Sequence, residues 1–162
     1  MEPIARVTAR VVPVCSTGEV LLLQEQDPAR PGQLYWGTIG GAVDASESLQ
    51  AAAVRELREE TGIVAEIGDL TEPFHRGRRA YSYAGVSYVG EATFFGLVLD
   101  RDTEISFAHL EPEEVGNVLD ARWWTPHDLA ADGRLVAPDL CDIMTAAVRA
   151  VRAGQVEQGG AQ

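Results

Sequence analysis

Glu56, Glu59 and Glu60 are the side chains whose types and spacing point most directly to chemistry. An α-helix turns about 100° per residue, so Glu60 lies about 40° from Glu56, with Glu59 about 60° away on the other side. Three carboxylates on one face repel, at roughly 0.2–0.5 kcal/mol per exposed pair. A divalent cation bound between them recovers that cost. All-carboxylate oxygen ligation suits a hard ion, Mg2+ or Mn2+, rather than a soft metal. Arg55 sits one turn before Glu59, a spacing that lets the two pair and fixes the glutamate's orientation. A pair of glutamates on a surface helix is ordinarily just a solvated face, so the residues around them must decide.

Those residues form a loop and a helix. The spacing predicts a helix over 48–61, capped by Ser46 or Ser48 and ended by Gly62. Ala52 and Ala53 lie below the carboxylates, while Val54, Leu57 and Thr61 occupy the neighbouring face and pack on a sheet. Gly40 and Gly41 permit a tight turn ahead of the helix and a close approach of backbone to a ligand. A carbonyl from that turn can complete a coordination shell. Glu47 falls near the helix start, where the helix dipole favours negative charge.

The wider chain supplies a sheet for this helix. Residues 4–15 and 19–25 read as strands joined by a turn at 16–18, and 27–34 as a Pro/Gly loop. A short strand is expected at 63–67 and a buried one at 92–99. Residues 71–90 read as either a hairpin or a long loop. An acidic loop at 104–118 leads to a strand at 119–124, a short helix from Thr125-Pro126 through Leu129, and a helix from Asp139 to Val151. No repeat or linker divides the chain. One domain is expected over 1–153, with 154–162 a disordered tail that has little to pack.

Read in order, the segment runs Gly41, five residues, Glu47, seven residues, Arg55-Glu56-Leu57, one residue, Glu59-Glu60, one residue, Gly62-Ile63. At each defined position it resembles the box of the Nudix (MutT-like) family. The strands before the box and the stretch Arg122-Trp123-Trp124-Thr125-Pro126 after it are also similar to the family. The resemblance implies an α/β fold, an α/β/α sandwich with a mixed central sheet. It implies Mg2+-dependent hydrolysis of the diphosphate linkage in a nucleoside diphosphate joined to another group. By position, it makes Glu56, Glu59 and Glu60 metal ligands together with the Gly40 carbonyl. Glu47 and Arg55 orient the helix and its glutamates. A water made nucleophilic by metal or carboxylate attacks phosphorus, with Glu59 or Glu56 as the favoured base and Glu114 and Asp120 as outside candidates. The catalytic set expected from the resemblance is therefore Glu59, Glu56 and Arg55. One departure stands out: the family often has Leu-Pro before the glycines, and here the stretch is Trp36-Gly37-Thr38-Ile39-Gly40-Gly41.

Composition narrows the partners. The chain has 162 residues, 25 acidic against 13 basic, and a formal charge of −12. A basic surface able to displace counterions from nucleic acid is missing, as is one that would dock on anionic membranes. A small nucleotide-type substrate stays compatible, because a bound divalent ion inverts the local field. All basic residues are Arg, which excludes a lysine nucleophile or Schiff base. Cys15 and Cys141 have neither disulfide-framework nor zinc spacing. With no signal-peptide pattern and no long apolar run, a cytoplasmic location is expected. A homodimer is compatible with the resemblance.

Arg76, Arg78 and Arg79 form the one basic cluster, with Tyr81 and Tyr83 beside it. Arg76, Arg78 and Tyr81 are the substrate-binding candidates, holding phosphate and stacking a base; an ordinary solvated loop is the alternative. Tyr81 lies 18 residues after Ile63, near where a tyrosine marks dinucleoside-polyphosphate members of the family. The proline that ADP-ribose members of the family carry about 15 residues after the box is absent, Pro73 falling too early. Trp36, Trp123 and Trp124 read as packing residues. His75, His109 and His127 show no metal or triad spacing. A competing reading is a non-catalytic nucleotide-binding sensor on the same fold, against which three intact glutamates count. An isoprenoid-diphosphate isomerase also shares the fold, but no cysteine is placed to support it.

Overall fold

Along a strand successive side chains enter opposite faces of the sheet, so a strand apolar at every position is covered on both. Residues Val20-Leu21-Leu22-Leu23 and Phe94-Phe95 have that character. In the computed structural model, which describes residues 2–159 and the side chains of 2–156, they lie inside a seven-stranded mixed sheet. The strands are β1 (Ile4–Val14), β2 (Val20–Gln26), β3 (Leu34–Gly37), β4 (Ile39–Ala42), β5 (Leu70–Tyr83), β6 (Val86–Val98) and β7 (Val118–Trp124). Their order is β3-β2-β1-β6-β5, with β4 paired to β1 and β7 to β2. β1 and β6 run parallel, and the other pairings are antiparallel.

Helices cover both faces, giving the expected α/β/α sandwich. Leu21, Leu23, Ile39 and Phe95 pack with Ala52, Ala53 and Leu57 of α1 (Leu49–Thr61). Val20, Leu22 and Phe94 face the opposite way, onto α2 (Pro126–Asp132) and α3 (Leu140–Gly159) through Leu129, Leu140, Ile143, Met144, Ala147 and Val151. Each such side chain, fully buried, contributes roughly 1.5–3 kcal/mol. Among the described residues, no helix is long and apolar enough to cross a membrane.

α1 begins and ends where its capping residues dictate. The Ser48 hydroxyl accepts from the Ala51 N–H at 3.0 Å, and Ser46 stays outside the helix. Gly62 takes a left-handed conformation, φ 76°, and its N–H donates to the Arg58 carbonyl at 2.8 Å.

Three expectations change. Residues 63–67 form no strand: Ile63 drops into the core beneath α1, Val64 is exposed, and a 3-10 turn follows at Ile67–Asp69. Gly40 and Gly41 lie in β4 rather than in a turn, at registers Arg10↔Gly40 and Ala9↔Gly41. The expected tail at 154–162 is helical through Gly159, because α3 propagates beyond its last buried residue, Val151; residues 160–162 lie outside the described residues.

Residues 71–90 resolve as a hairpin. β5 and β6 pair from Leu70↔Leu97 to Tyr83↔Val86, leaving Ala84 and Gly85 as a two-residue turn with φ 51° and 79°. Positive φ at both positions matches the twist of the flanking strands. The tip is tied down by Asp27, only 7% exposed, whose Oδ1 accepts from Ala84 N–H at 2.8 Å and from Ala29 N–H at 2.9 Å.

Candidate functional site

The face of α1 that carries the glutamates turns inward. Glu56 is 8% exposed and Glu60 is 1%, so the solvated-face reading does not hold. Each lies against β4. The Gly40 N–H donates to Glu60 Oε1 at 2.7 Å. A Cβ on Gly41 would sit 2.6 Å from Glu56 Oε1, and one on Gly40 would sit 2.2 Å from the Ala9 carbonyl oxygen. The two glycines are therefore needed for the close approach of β4 to α1 and to β1, with Gly40 at φ 147°.

Arg55 organises the other carboxylates. Its Nε and Nη2 donate to the two oxygens of Glu47 at 2.8 and 3.0 Å, and Nη2 also reaches the Ala42 carbonyl at 2.9 Å. Its Nη1 donates to Glu56 Oε1 at 3.1 Å and to both oxygens of Glu59 at 3.2 and 3.1 Å. The expected Arg55–Glu59 pair is present, and the guanidinium is bound more widely than its spacing alone indicates. The Glu47 hydrogen bonds push the already high Arg55 pKa further up, and Arg55 in turn holds the Glu47 carboxyl below its usual range.

The cluster that forms differs from the one expected. One oxygen each from Glu56, Glu60 and Glu114 lie within 4.8 Å of one another, and Glu114 comes from the acidic loop before β7. Glu59 is not in this set, because both its oxygens are turned to Arg55. The Gly40 carbonyl accepts from Arg10 Nη1 at 3.1 Å. Asp120 does not line the cavity; its Oδ1 accepts from the Ala121 N–H. Arg76 is exposed on the opposite face of β5; Arg78 shares that face with it and reaches the cavity as well as the outer groove beside Val89 and Glu91, while Tyr81 lines the cavity. Arg79, set aside in favour of Arg76, lines it too: a two-residue period reads only one side of a strand.

The cavity encloses about 1020 Å3, between α1, the concave face of β1, β6 and β5, and the start of α3. Its glutamate end is electrostatically strained. Burial pushes the Glu56 carboxyl up to about 7, countered first by Arg55 and reinforced by Glu59 and Glu114. Glu60 is pushed well up by burial, then by Glu25, Glu114 and Glu56. Glu25 on β2 rises to about 7 through burial, with Arg10 opposing and Glu114 adding to it. Buried carboxylates that repel one another and are short of protons or cations fit a hard divalent ion well. Glu114 was expected only as an outside candidate for the base; Glu25, Arg10 and Asp27 were not separable from ordinary surface charge in the sequence, although an isolated Glu ending the apolar run of β2 is the one local signal.

The comparisons agree with this geometry. The family model described as NUDIX domain matches residues 5–140. A Caenorhabditis elegans protein named putative nudix hydrolase 1 is 31% identical over 114 residues, 70% of this chain and 26% of that protein. The CTP pyrophosphohydrolase of Escherichia coli K12 is 43% identical over 60 residues, 36% of this chain and 43% of that enzyme. The chain thus spans less than half the length of either relative. Among solved structures, the E. coli dihydroneopterin triphosphate pyrophosphohydrolase superposes with a TM-score of 0.64 at 22% identity, covering 87% of this chain and 94% of that one. The chain belongs to the Nudix family.

Proposed function

We propose that this protein is a divalent-metal-dependent hydrolase that cleaves a diphosphate linkage in a nucleotide or nucleotide derivative. The observation that carries the reading is the convergence of Glu56, Glu60 and Glu114 on one point of a large cavity, with Arg55 locked beside them. Glu56, Glu60 and Glu114 would hold the cation, Mg2+ or Mn2+. Such an ion supplies positive charge to phosphate oxygens and makes a nearby water more acidic.

The chain's own groups have separate tasks in this scheme. Without the cation, Glu56 takes a proton near neutral pH, with Arg55 on Oε1; with the cation bound it would stay ionised as a ligand. Arg55 fixes Glu56 and Glu59 relative to β4, and Glu47 fixes Arg55. Glu59 supports the guanidinium, a role distinct from the ligand or base first expected of it. Arg10, already at the Gly40 carbonyl, presents positive charge where the diphosphate lies. The walls of β5 and β6 enclose the rest of the substrate, with Arg78 and Tyr81 as binding residues. Support for a nucleotide-type substrate comes from family membership and from relatives named for CTP and dihydroneopterin triphosphate.

The test is a panel of nucleoside triphosphates, dinucleoside polyphosphates, ADP-ribose and sugar nucleotides incubated with Mg2+, with and without chelator. Release of phosphate or nucleotide products that chelator abolishes is expected. Turnover that persists in excess chelator, or none with any compound, overturns the reading.

A further inference from the structure

Two tyrosine and two arginine side chains form part of the cavity wall on β1, β5 and β6. Tyr81 of β5 and Tyr88 of β6 are register partners with rings stacked 5.3 Å apart at 20°. The Arg79 guanidinium lies over Tyr81 at 5.1 Å, and that of Arg6 over Tyr88 at 5.6 Å. Arg6 Nη1 also donates to the Tyr81 hydroxyl at 3.4 Å, and Arg79 Nη1 to the Val136 carbonyl at 3.2 Å. Gly90 makes room for this stack: a Cβ there would meet Tyr81 Cε1 at 2.9 Å.

Two features make the wall more than packing. In a chain of charge −12, Arg55, Arg101, Arg122 and Arg134 pair with carboxylates, while Arg6 and Arg79 stack on tyrosines inside the cavity instead. Among the described residues, neither Arg6 nor Arg79 has a carboxylate within 4.0 Å, although both line a cavity rich in glutamate. Each guanidinium carries five N–H donors and spends one on protein, so both keep capacity for a bidentate anion. The second feature is distance. Arg6 and Arg10 lie on the same face of β1, and four residues of strand span about 13 Å. Arg10 marks the glutamate end through its bond to Gly40. A diphosphate seated there is too short to reach Arg6.

We propose that Arg6 and Arg79, held between Tyr81 and Tyr88, form a second anion subsite that takes a phosphate group on the half of the substrate remote from the bond cleaved. The proposal rests on the hydrolase reading above and specifies its substrate: the group joined to the nucleoside diphosphate carries further phosphate. That phosphate either continues the polyphosphate chain or stands as a monoester on a distal sugar.

Calorimetric binding of inorganic tripolyphosphate to the full chain in EDTA tests the subsite without the metal. Arg6→Gln and Arg79→Gln are expected to weaken binding at least about tenfold, the scale of a charge-assisted pair. Glu60→Gln should bind as tightly as wild type or tighter. Gly90→Ala, which displaces Tyr81 without removing a charge, should weaken binding as well and covers the case of an arginine variant that does not fold. Unchanged binding in these subsite variants overturns the proposal. In the kinetic arm, kcat/KM is compared for ADP-ribose, a dinucleoside tetraphosphate and a nucleotide diphosphate bearing a ribose 3′-phosphate. Arg79→Gln should penalise one or both phosphate-rich substrates beyond ADP-ribose, and which of them identifies the source. An equal loss on all three contradicts the subsite. Failure of the hydrolase reading is seen separately, as no turnover by wild type while the binding arm still reports.

Discussion

Helix α1 and the β5–β6 hairpin face each other across one cavity and solve opposite problems. α1 buries like charges: Glu56 and Glu60 are held against β4, with Arg55 beside them, in an arrangement costly without a cation. The hairpin presents an aromatic surface on which its own Arg79 and Arg6 of β1 lie without carboxylate partners among the described residues. The first region is rigid and defined by close contacts, as the Cβ clashes at Gly40 and Gly41 show. The second has its tip held by Asp27, whose carboxylate accepts from the Ala84 N–H. The difference teaches a division of labour: chemistry is built on the packed helix, and substrate choice on an edge hairpin that can vary without disturbing it.

If that division is correct, substitutions on α1 should act on turnover and those on the hairpin on substrate affinity. The largest effect is expected from Glu60→Gln, which keeps the acceptor for the Gly40 N–H but removes the charge. It should lower kcat by at least about 100-fold, the scale of one lost electrostatic contact to the transition state, while circular dichroism stays native. Arg55→Ala should follow, at about 10- to 100-fold in activity or metal affinity, as supporting groups behind metal ligands typically cost. Glu59→Gln should cost less than Glu60→Gln in the same steady-state assay. Equal losses would return Glu59 to the ligand or base role first expected of it.

Asp27→Ala should raise KM roughly fivefold, about 1 kcal/mol for the lost hydrogen bonds, with little change in kcat. Asp27→Asn should restore it, because one amide oxygen can accept from both Ala29 and Ala84. Hydrogen exchange at the Ala84 amide checks that the tip has loosened in the first variant and not in the second.

The smallest effect concerns stability. The Glu56 pKa is raised in the folded state from 4.5 to about 7. A raised pKa means stability that is full below the unfolded value and lost as pH climbs through the folded one. Metal-free protein should therefore lose Tm between about pH 4.5 and 7, and Glu56→Gln should flatten that slope. A thermal-shift series across this window with EDTA present reads it, and Mg2+ should raise Tm most at its upper end.

Much of α1 was legible in the sequence because its information is local. Helical spacing brings Glu56, Glu59 and Glu60 to one face, Ser48 and Gly62 end the helix, and an i,i+4 rule pairs Arg55 with Glu59. The rest of the site was not, since it is assembled across the fold. Glu114 arrives from a loop with several other acids; it was expected only as an outside candidate for the base, and its place beside Glu56 and Glu60 is set by the fold. The Gly40 carbonyl was expected as a metal ligand from the resemblance, yet β1–β4 pairing sets Arg10 beside it and Arg10 donates to it. The choice of Arg76 over Arg79 failed because the face of β5 is set by its bulges near Pro73 and its pairing with β6.

The central claim, that Glu56, Glu60 and Glu114 together hold a divalent cation, is tested most directly by Mn2+ titration followed by electron paramagnetic resonance. Glu114→Gln should weaken Mn2+ binding about 10- to 100-fold, as Glu56→Gln and Glu60→Gln do, while Glu59→Gln leaves it within about threefold. Wild-type affinity in Glu114→Gln, with the loss confined to Glu59→Gln, would contradict the account.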